Sequence, residues 1–174
     1  MNPKIVRITE TAAMTALLIA LQAVTRSAGQ YVTGSCVNAV LALTVLLAGL
    51  WSGVVVAALS PFFAFLLGIG PQLPQIVPAI AVGNLVFVVV LWALIRRKGA
   101  PPMRQVPAWL AAALGKFAAL YLIVVQLLCR VLPLKQPQID TFTVMFSYPQ
   151  LVTALIGGGL ALVLVPVLRK ALKR

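Results

Sequence analysis

The sequence predicts an all-α integral membrane protein with six transmembrane helices and both termini in the cytoplasm. Of the 174 residues, 62% are apolar and only 9% are charged, whereas a soluble domain carries about 25% charged residues. The mean hydropathy is +1.08. The basic residues stand at the ends of long apolar runs, which is typical of membrane proteins. We expect residues 1–174 to form one transmembrane domain embedded in a lipid bilayer.

The first predicted span covers about residues 8–25. Lys4 and Arg7 precede it, and no small-residue cleavage site follows at the distance expected for a signal peptide. We therefore interpret this run as a retained helix.

Residues 36–70 form a second apolar run that is too long for one span. A single helix of this length would measure about 50 Å, against a hydrocarbon core of about 30 Å. We expect two helices, at about residues 36–51 and 53–70, with a turn at Trp51-Ser52-Gly53.

The second half of the chain predicts three further spans. Residues 70–75 hold two prolines within four positions, and residues 96–104 hold four basic residues and two prolines, so both segments are predicted loops. We interpret residues 133–147, with Lys135 and Asp140, as another long loop. The spans lie at about residues 76–95, 107–132 and 149–168.

The distribution of basic residues predicts the orientation. Six spans place both termini on one side, and the side with more Lys and Arg faces the cytoplasm. That side holds Lys4, Arg7, Arg96, Arg97, Lys98, Arg104, Arg169, Lys170, Lys173 and Arg174. The other side holds Arg26, Arg130 and Lys135.

The residue types that are missing argue against an enzyme. The chain has no His, and its two acids, Glu10 and Asp140, are about 130 positions apart. Cys36 and Cys129 lack the spacing of a metal site, and no phosphate-binding loop occurs. We expect no catalytic residue, no metal, no cofactor and no nucleic-acid partner, since the net charge of +12 is explained by topology.

Lys116 is the leading candidate for a functional residue. It lies about 13 Å into the fifth span at helical rise, where an ionisable residue is costly and by default functional. At 100° per residue, Gln126 and Arg130 fall on the same side of an α-helix. The alternatives are that Lys116 snorkels or pairs locally and that Arg130 anchors the helix at the interface.

Further polar residues cluster in the half of the bundle away from the termini, which predicts a pocket that opens outward. The predicted substrate-binding residues are Asn38, Gln75, Asn84, Lys116, Gln126, Arg130, Tyr148 and Gln150. The alternative for each Asn or Gln is an interhelical hydrogen bond without a ligand.

A stripe of small residues, Ala12, Ala16 and Ala20, lies on one face of the first helix. Small side chains let another helix approach closely, either a partner's or one of this bundle. No carboxylate lies mid-span and no nucleotide site exists, so concentrative transport would need an external motor.

With these features the chain resembles the substrate-binding S component of energy-coupling factor (ECF) vitamin transporters over essentially its full length. The resemblance rests on the six-helix plan, the basic N-terminus and the alanine stripe. It also rests on residues 32–38 (VTGSCVN), 68–75 (GIGPQLPQ) and 149–158 (PQLVTALIGG).

The resemblance implies a high-affinity binding subunit in the bacterial plasma membrane that captures a vitamin from outside. The alanine stripe would dock on a transmembrane scaffold subunit, which carries two ATPases. The excess of outer Lys and Arg favours a neutral or anionic vitamin over a cation such as thiamine. The alternatives are a stand-alone permease or channel and an assembly protein without a ligand.

Overall fold

The computed structural model describes residues 3–95 and 102–171, and in these ranges all regular structure is helical. The helices are α1 (Pro3–Thr25), α2 (Gln30–Leu47), α3 (Leu50–Leu66), α4 (Val77–Ile95), α5 (Pro102–Leu120), α6 (Cys129–Val131), α7 (Gln136–Met145) and α8 (Tyr148–Ala171). A π-helical segment, Tyr121–Leu128, joins α5 to α6. Turns of 3₁₀ helix, Arg26–Ala28 and Pro74–Ile76, precede α2 and α4.

The helices have the length and composition of membrane spans. Five helical stretches of the described chain are long and apolar enough to cross a membrane, and α3, with 17 residues, is apolar but shorter. The all-helical membrane fold is thereby confirmed. The basic residues at 96–98, 173 and 174 lie outside the described residues, and the cytoplasmic location of the termini stays a prediction.

The turn between α2 and α3 differs from the predicted one. The chain reverses at Ala48-Gly49, where Gly49 has a φ of +89°, a left-handed conformation that glycine adopts without a steric penalty. Trp51-Ser52-Gly53 lies inside α3, and Gly53 is buried there against Val45 and Val88. The predicted turn at residues 51–53 is therefore wrong by a few residues.

The predicted loop at residues 133–147 is also wrong, because most of it forms α7. Pro137 stands in the first turn, where its missing N–H costs nothing. The Gln138 side chain accepts a hydrogen bond from the Lys135 backbone N–H (3.0 Å), and Gln136 donates to Asp140 one turn on (3.0 Å). Helix ends also shift elsewhere, since α1 begins at Pro3 and α2 at Gln30.

The fifth span departs from a regular α-helix. It begins at Pro102, so that Pro107 lies inside it rather than at its start. From Tyr121 to Leu128 its hydrogen bonds follow the wider π pattern, which takes more residues per turn. The α-helical rotation that placed Gln126 and Arg130 on the side of Lys116 therefore does not apply beyond Leu120.

Helices α2 and α8 approach each other closely at two glycines, Gly34 and Gly157. A Cβ at Gly34 would stand 2.9 Å from Thr153 Cγ2, and a Cβ at Gly157 would stand 2.7 Å from the Ala39 backbone nitrogen. Each glycine lies four residues from a polar partner on its own helix, Asn38 or Thr153. The close approach brings these two side chains together, with Asn38 Nδ2 3.3 Å from Thr153 Oγ1.

The two ends of the bundle are filled differently. An apolar core packs the end where α2, α4 and α8 finish, with Val45, Leu91 and Val165 among its buried members. A smaller cluster around Ile76, Val124 and Phe146 lies at the opposite end. Beside that smaller cluster lies a cavity.

We predict that Gly157→Ala destabilises the protein by about 1–3 kcal/mol, since the new methyl group would meet the backbone of α2 rather than a movable side chain. Thermal unfolding in detergent would measure the loss. Gly115→Ala is the control, because its methyl group would meet only Val86 Cγ1 at 3.3 Å and Val90 Cγ2 at 3.8 Å. Equal effects of the two substitutions would contradict a tight α2–α8 crossing.

Candidate functional site

The cavity has a volume of about 380 Å³, within the range of about 300–1,000 Å³ that small-molecule sites occupy. It lies at the end of the bundle where α1 and α3 finish and α2, α4 and α8 begin. Its polar lining includes Gln22, Arg26, Asn38, Ser60, Asn84 and Lys116. A pocket of this size therefore combines apolar walls with a few placed polar groups, as ligand sites do.

Lys116 is the most deeply buried charged side chain of this lining, with 3% of its surface exposed. Its ammonium nitrogen donates one hydrogen bond to Asn38 Oδ1 and another to Asn84 Oδ1, both 2.7 Å long. It also lies 5.9 Å from the centre of the Phe87 ring, within cation–π range. An ammonium has three donors, and of the described residues only these two amides accept from it.

Asn38 is held with its amide oxygen toward Lys116. Its Nδ2 donates to the Gly34 carbonyl one turn back (2.9 Å) and to Thr153 Oγ1 on α8 (3.3 Å). Because both contacts use the amide nitrogen, Oδ1 is left for the ammonium. The α2–α8 crossing thus sets the orientation of Asn38, one of the two hydrogen-bond acceptors of Lys116.

Asn84 is oriented by a proline on the neighbouring helix. Pro61 has no backbone N–H, so the Ala57 carbonyl, four residues earlier in α3, lacks its helical donor. The Asn84 Nδ2 points at this carbonyl in a long contact of 3.5 Å. Its Oδ1 then faces Lys116, so both amides present oxygen to the ammonium.

The charges of the cavity are of one sign. Lys116 and Arg26 line it, and neither of the two acids does. Asp140 is exposed and accepts a hydrogen bond from Gln136 in α7. A neutral or anionic group can therefore enter without meeting a carboxylate, whereas a cation would be repelled.

Helix α7 covers part of the cavity. Gln30 and Gln150 lie in the first turns of α2 and α8, and both side chains donate to the Met145 carbonyl at the end of α7, at 2.7 and 3.0 Å. Met145 and Phe146 thereby stand in the cavity wall. The segment that the sequence predicted as a loop is thus tied to the bundle at the site.

Comparison with known proteins decides the family. A family model described as the ECF transporter substrate-specific component matches residues 10–169. The chain belongs to this family. Its members are substrate-binding components of transporters rather than enzymes, and the resemblance inferred from the sequence is confirmed. No curated protein and no solved structure matches the chain.

The cavity of this S component brings together four of the eight predicted substrate-binding residues, namely Asn38, Asn84, Lys116 and Gln150. The other four are not part of its described lining. Gln126 Nε2 donates to the Tyr121 hydroxyl (3.1 Å) and Gln126 Oε1 accepts from exposed Arg130 (2.6 Å), in a separate cluster on the π-helical segment and α6. Gln75 and Tyr148 are exposed. A substrate-binding role for each of the eight stays a prediction.

The face of α1 that carries Ala12, Ala16 and Ala20 is exposed over all three residues. Helix α1 packs on the bundle through its other side, where Leu18 and Gln22 are buried. Because the three alanines are exposed, their face is accessible to another helix.

Sequence reasoning missed Gln22 and Ser60 as site residues. Gln22 Nε2 lies 3.4 Å from the Ser60 carbonyl and 3.5 Å from its hydroxyl, and both residues line the cavity. The available signal was a single glutamine in an apolar helix, about 120° around the helix from Ala16 at 100° per residue.

We predict that Asn84→Leu destabilises the ligand-free protein by about 1–3 kcal/mol, because a buried ammonium loses one of its two acceptors. Adding Lys116→Met should recover much of this loss, since the buried donor is then gone. Thermal unfolding of the two single variants and the double variant would give the coupling. Additive losses would contradict the direct interaction.

Proposed function

We propose that this chain is the high-affinity substrate-binding subunit of an ECF-type importer for a neutral or anionic vitamin or related micronutrient. The observation that carries the proposal is the buried ammonium of Lys116 at the cavity, held by neutral amide oxygens. A buried charge without a counter-ion is unfavourable. An anionic substrate would supply the missing negative charge. Its binding would therefore relieve the unfavourable energy of the uncompensated ammonium.

Capture from outside is the direction that the fold favours. The cavity is at the end of the bundle opposite Pro3 and Ala171, because α2, α4 and α8 begin there, whereas α1 begins and α8 finishes at the other end. With the termini in the cytoplasm, as the basic residues predict, the cavity opens toward the exterior.

Release into the cell would depend on partners that couple transport to ATP. The exposed Ala12, Ala16 and Ala20 offer a smooth helix face for a transmembrane scaffold subunit with two ATPases. Such dependence on an external motor is consistent with a chain that has a cavity but no mid-span carboxylate to couple transport to an ion.

We predict that Lys116→Met weakens binding of an anionic vitamin by more than tenfold, at least about 1.4 kcal/mol. Isothermal titration against pantothenate, nicotinate and folate, with riboflavin as a neutral comparison, would measure the dissociation constants. Lys135→Met is the matched control, because Lys135 is exposed and does not line the cavity. An unchanged dissociation constant in Lys116→Met would remove this residue from the site.

We predict that Ala16→Trp abolishes uptake in cells and leaves substrate affinity intact, because the indole would obstruct only the docking face. Ala118→Trp, an exposed alanine of α5, is the matched control and should retain uptake. Equal loss of affinity and uptake in Ala16→Trp would contradict docking through this face.

Flux by the purified chain alone in liposomes would favour the permease alternative.

A further inference from the structure

Gln22 is a buried cavity residue with an unused hydrogen-bonding atom. The side chain is 2% exposed, yet its carbonyl oxygen Oε1 has no hydrogen-bond partner among the described residues. Its amide nitrogen reaches Ser60 only through the two long contacts of 3.4 and 3.5 Å. Buried polar atoms in native proteins nearly always have a partner, so this acceptor points to a missing donor.

Ser35 provides the contrast. Its Oγ is the other buried side-chain atom without a partner in the described chain. Ser35 lies at the close α2–α8 crossing beside Gly157 and is not part of the described cavity lining. Gln22 alone of the two is placed where a small molecule can reach it.

We infer that Gln22, backed by Ser60, forms a second subsite that accepts a hydrogen bond from an N–H or O–H group of the substrate. This inference rests on the proposed function and narrows its substrate class. Lys116 supplies a spare donor and a positive charge, and Gln22 supplies an acceptor within the same cavity. The substrate then carries a carboxylate for Lys116 and, elsewhere in the molecule, an uncharged hydrogen-bond donor for Gln22.

Residues from different helices form the two subsites. Lys116 and its two amides belong to α5, α2 and α4, whereas Gln22 and Ser60 belong to α1 and α3. A substrate that binds both subsites spans the bundle between these groups. A molecule with only one of the two groups leaves either the ammonium or the amide oxygen without a partner, which lowers its affinity.

The test uses four probes with the detergent-solubilised full chain. Pantothenate and biotin have a carboxylate and N–H donors, nicotinate has a carboxylate and no such donor, and riboflavin has donors and no carboxylate. We expect pantothenate or biotin to bind more tightly than nicotinate and riboflavin. Tighter binding of either nicotinate or riboflavin would overturn the inferred substrate class.

Gln22→Met keeps the length of the side chain and removes the acceptor. We expect it to weaken binding of pantothenate or biotin by about three- to tenfold, the effect of one lost hydrogen bond, and to leave nicotinate binding unchanged. Gln105→Met, at a half-buried glutamine of α5 away from the cavity, is the matched control. Equal changes for all probes in Gln22→Met would overturn the subsite.

A second variant guards against a folding defect. Ser60→Ala removes the hydroxyl behind Gln22 and should produce a smaller loss with the same probe selectivity. If neither variant changes the preference for donor-bearing probes while the unaltered protein binds them, the inference fails and the proposed function stands. If the unaltered protein binds none of the four probes, the proposed function fails, and the inference with it.

Discussion

The buried ammonium of Lys116 is the constraint on which the site depends. An unpaired charge in a low-dielectric interior costs several kcal/mol, so the bundle must surround it with acceptors. Two amide oxygens at 2.7 Å meet that need without neutralising the charge. The two neutral oxygens compensate the buried charge only in part, so the protein keeps a positive centre at its cavity that still attracts an anion, which a Lys–carboxylate pair would not do.

The orientation of those amides follows from features of the backbone. On α2, Gly34 and the opposing Gly157 of α8 allow a crossing close enough for Asn38 to reach Thr153. On α3, Pro61 frees a carbonyl that draws the amide nitrogen of Asn84. Glycines and a proline, which weaken helices in isolation, thus serve to aim polar groups. Each of these residues weakens only its own helix. The amides that they orient stabilise the ammonium of Lys116, which α5 carries and which α2 and α4 supply with acceptors.

The fold class could be predicted from the sequence because hydropathy is summed over many residues, and so could Lys116, since a mid-span charge is visible by itself. The turn at Gly49 could not be placed, because Gly53 lies four residues away and only packing decides which glycine takes a positive φ. Gln22 was missed because its neighbour Ser60 is 38 positions distant. The π-helical segment moved Arg130 away from the predicted stripe, and nothing in its composition indicates i→i+5 bonding.

Helix α1 connects the cavity with the exposed alanine face. Its contact with α3 runs along one side, through the hydrogen bond of Thr11 to Ser52 (2.8 Å) and the contacts of Gln22 with Ser60. Apolar packing adds to these polar contacts, since Leu18 is buried in the core and Met14 and Leu21 pack against it. A substrate donor that binds Gln22 would add a further contact at the end of α1.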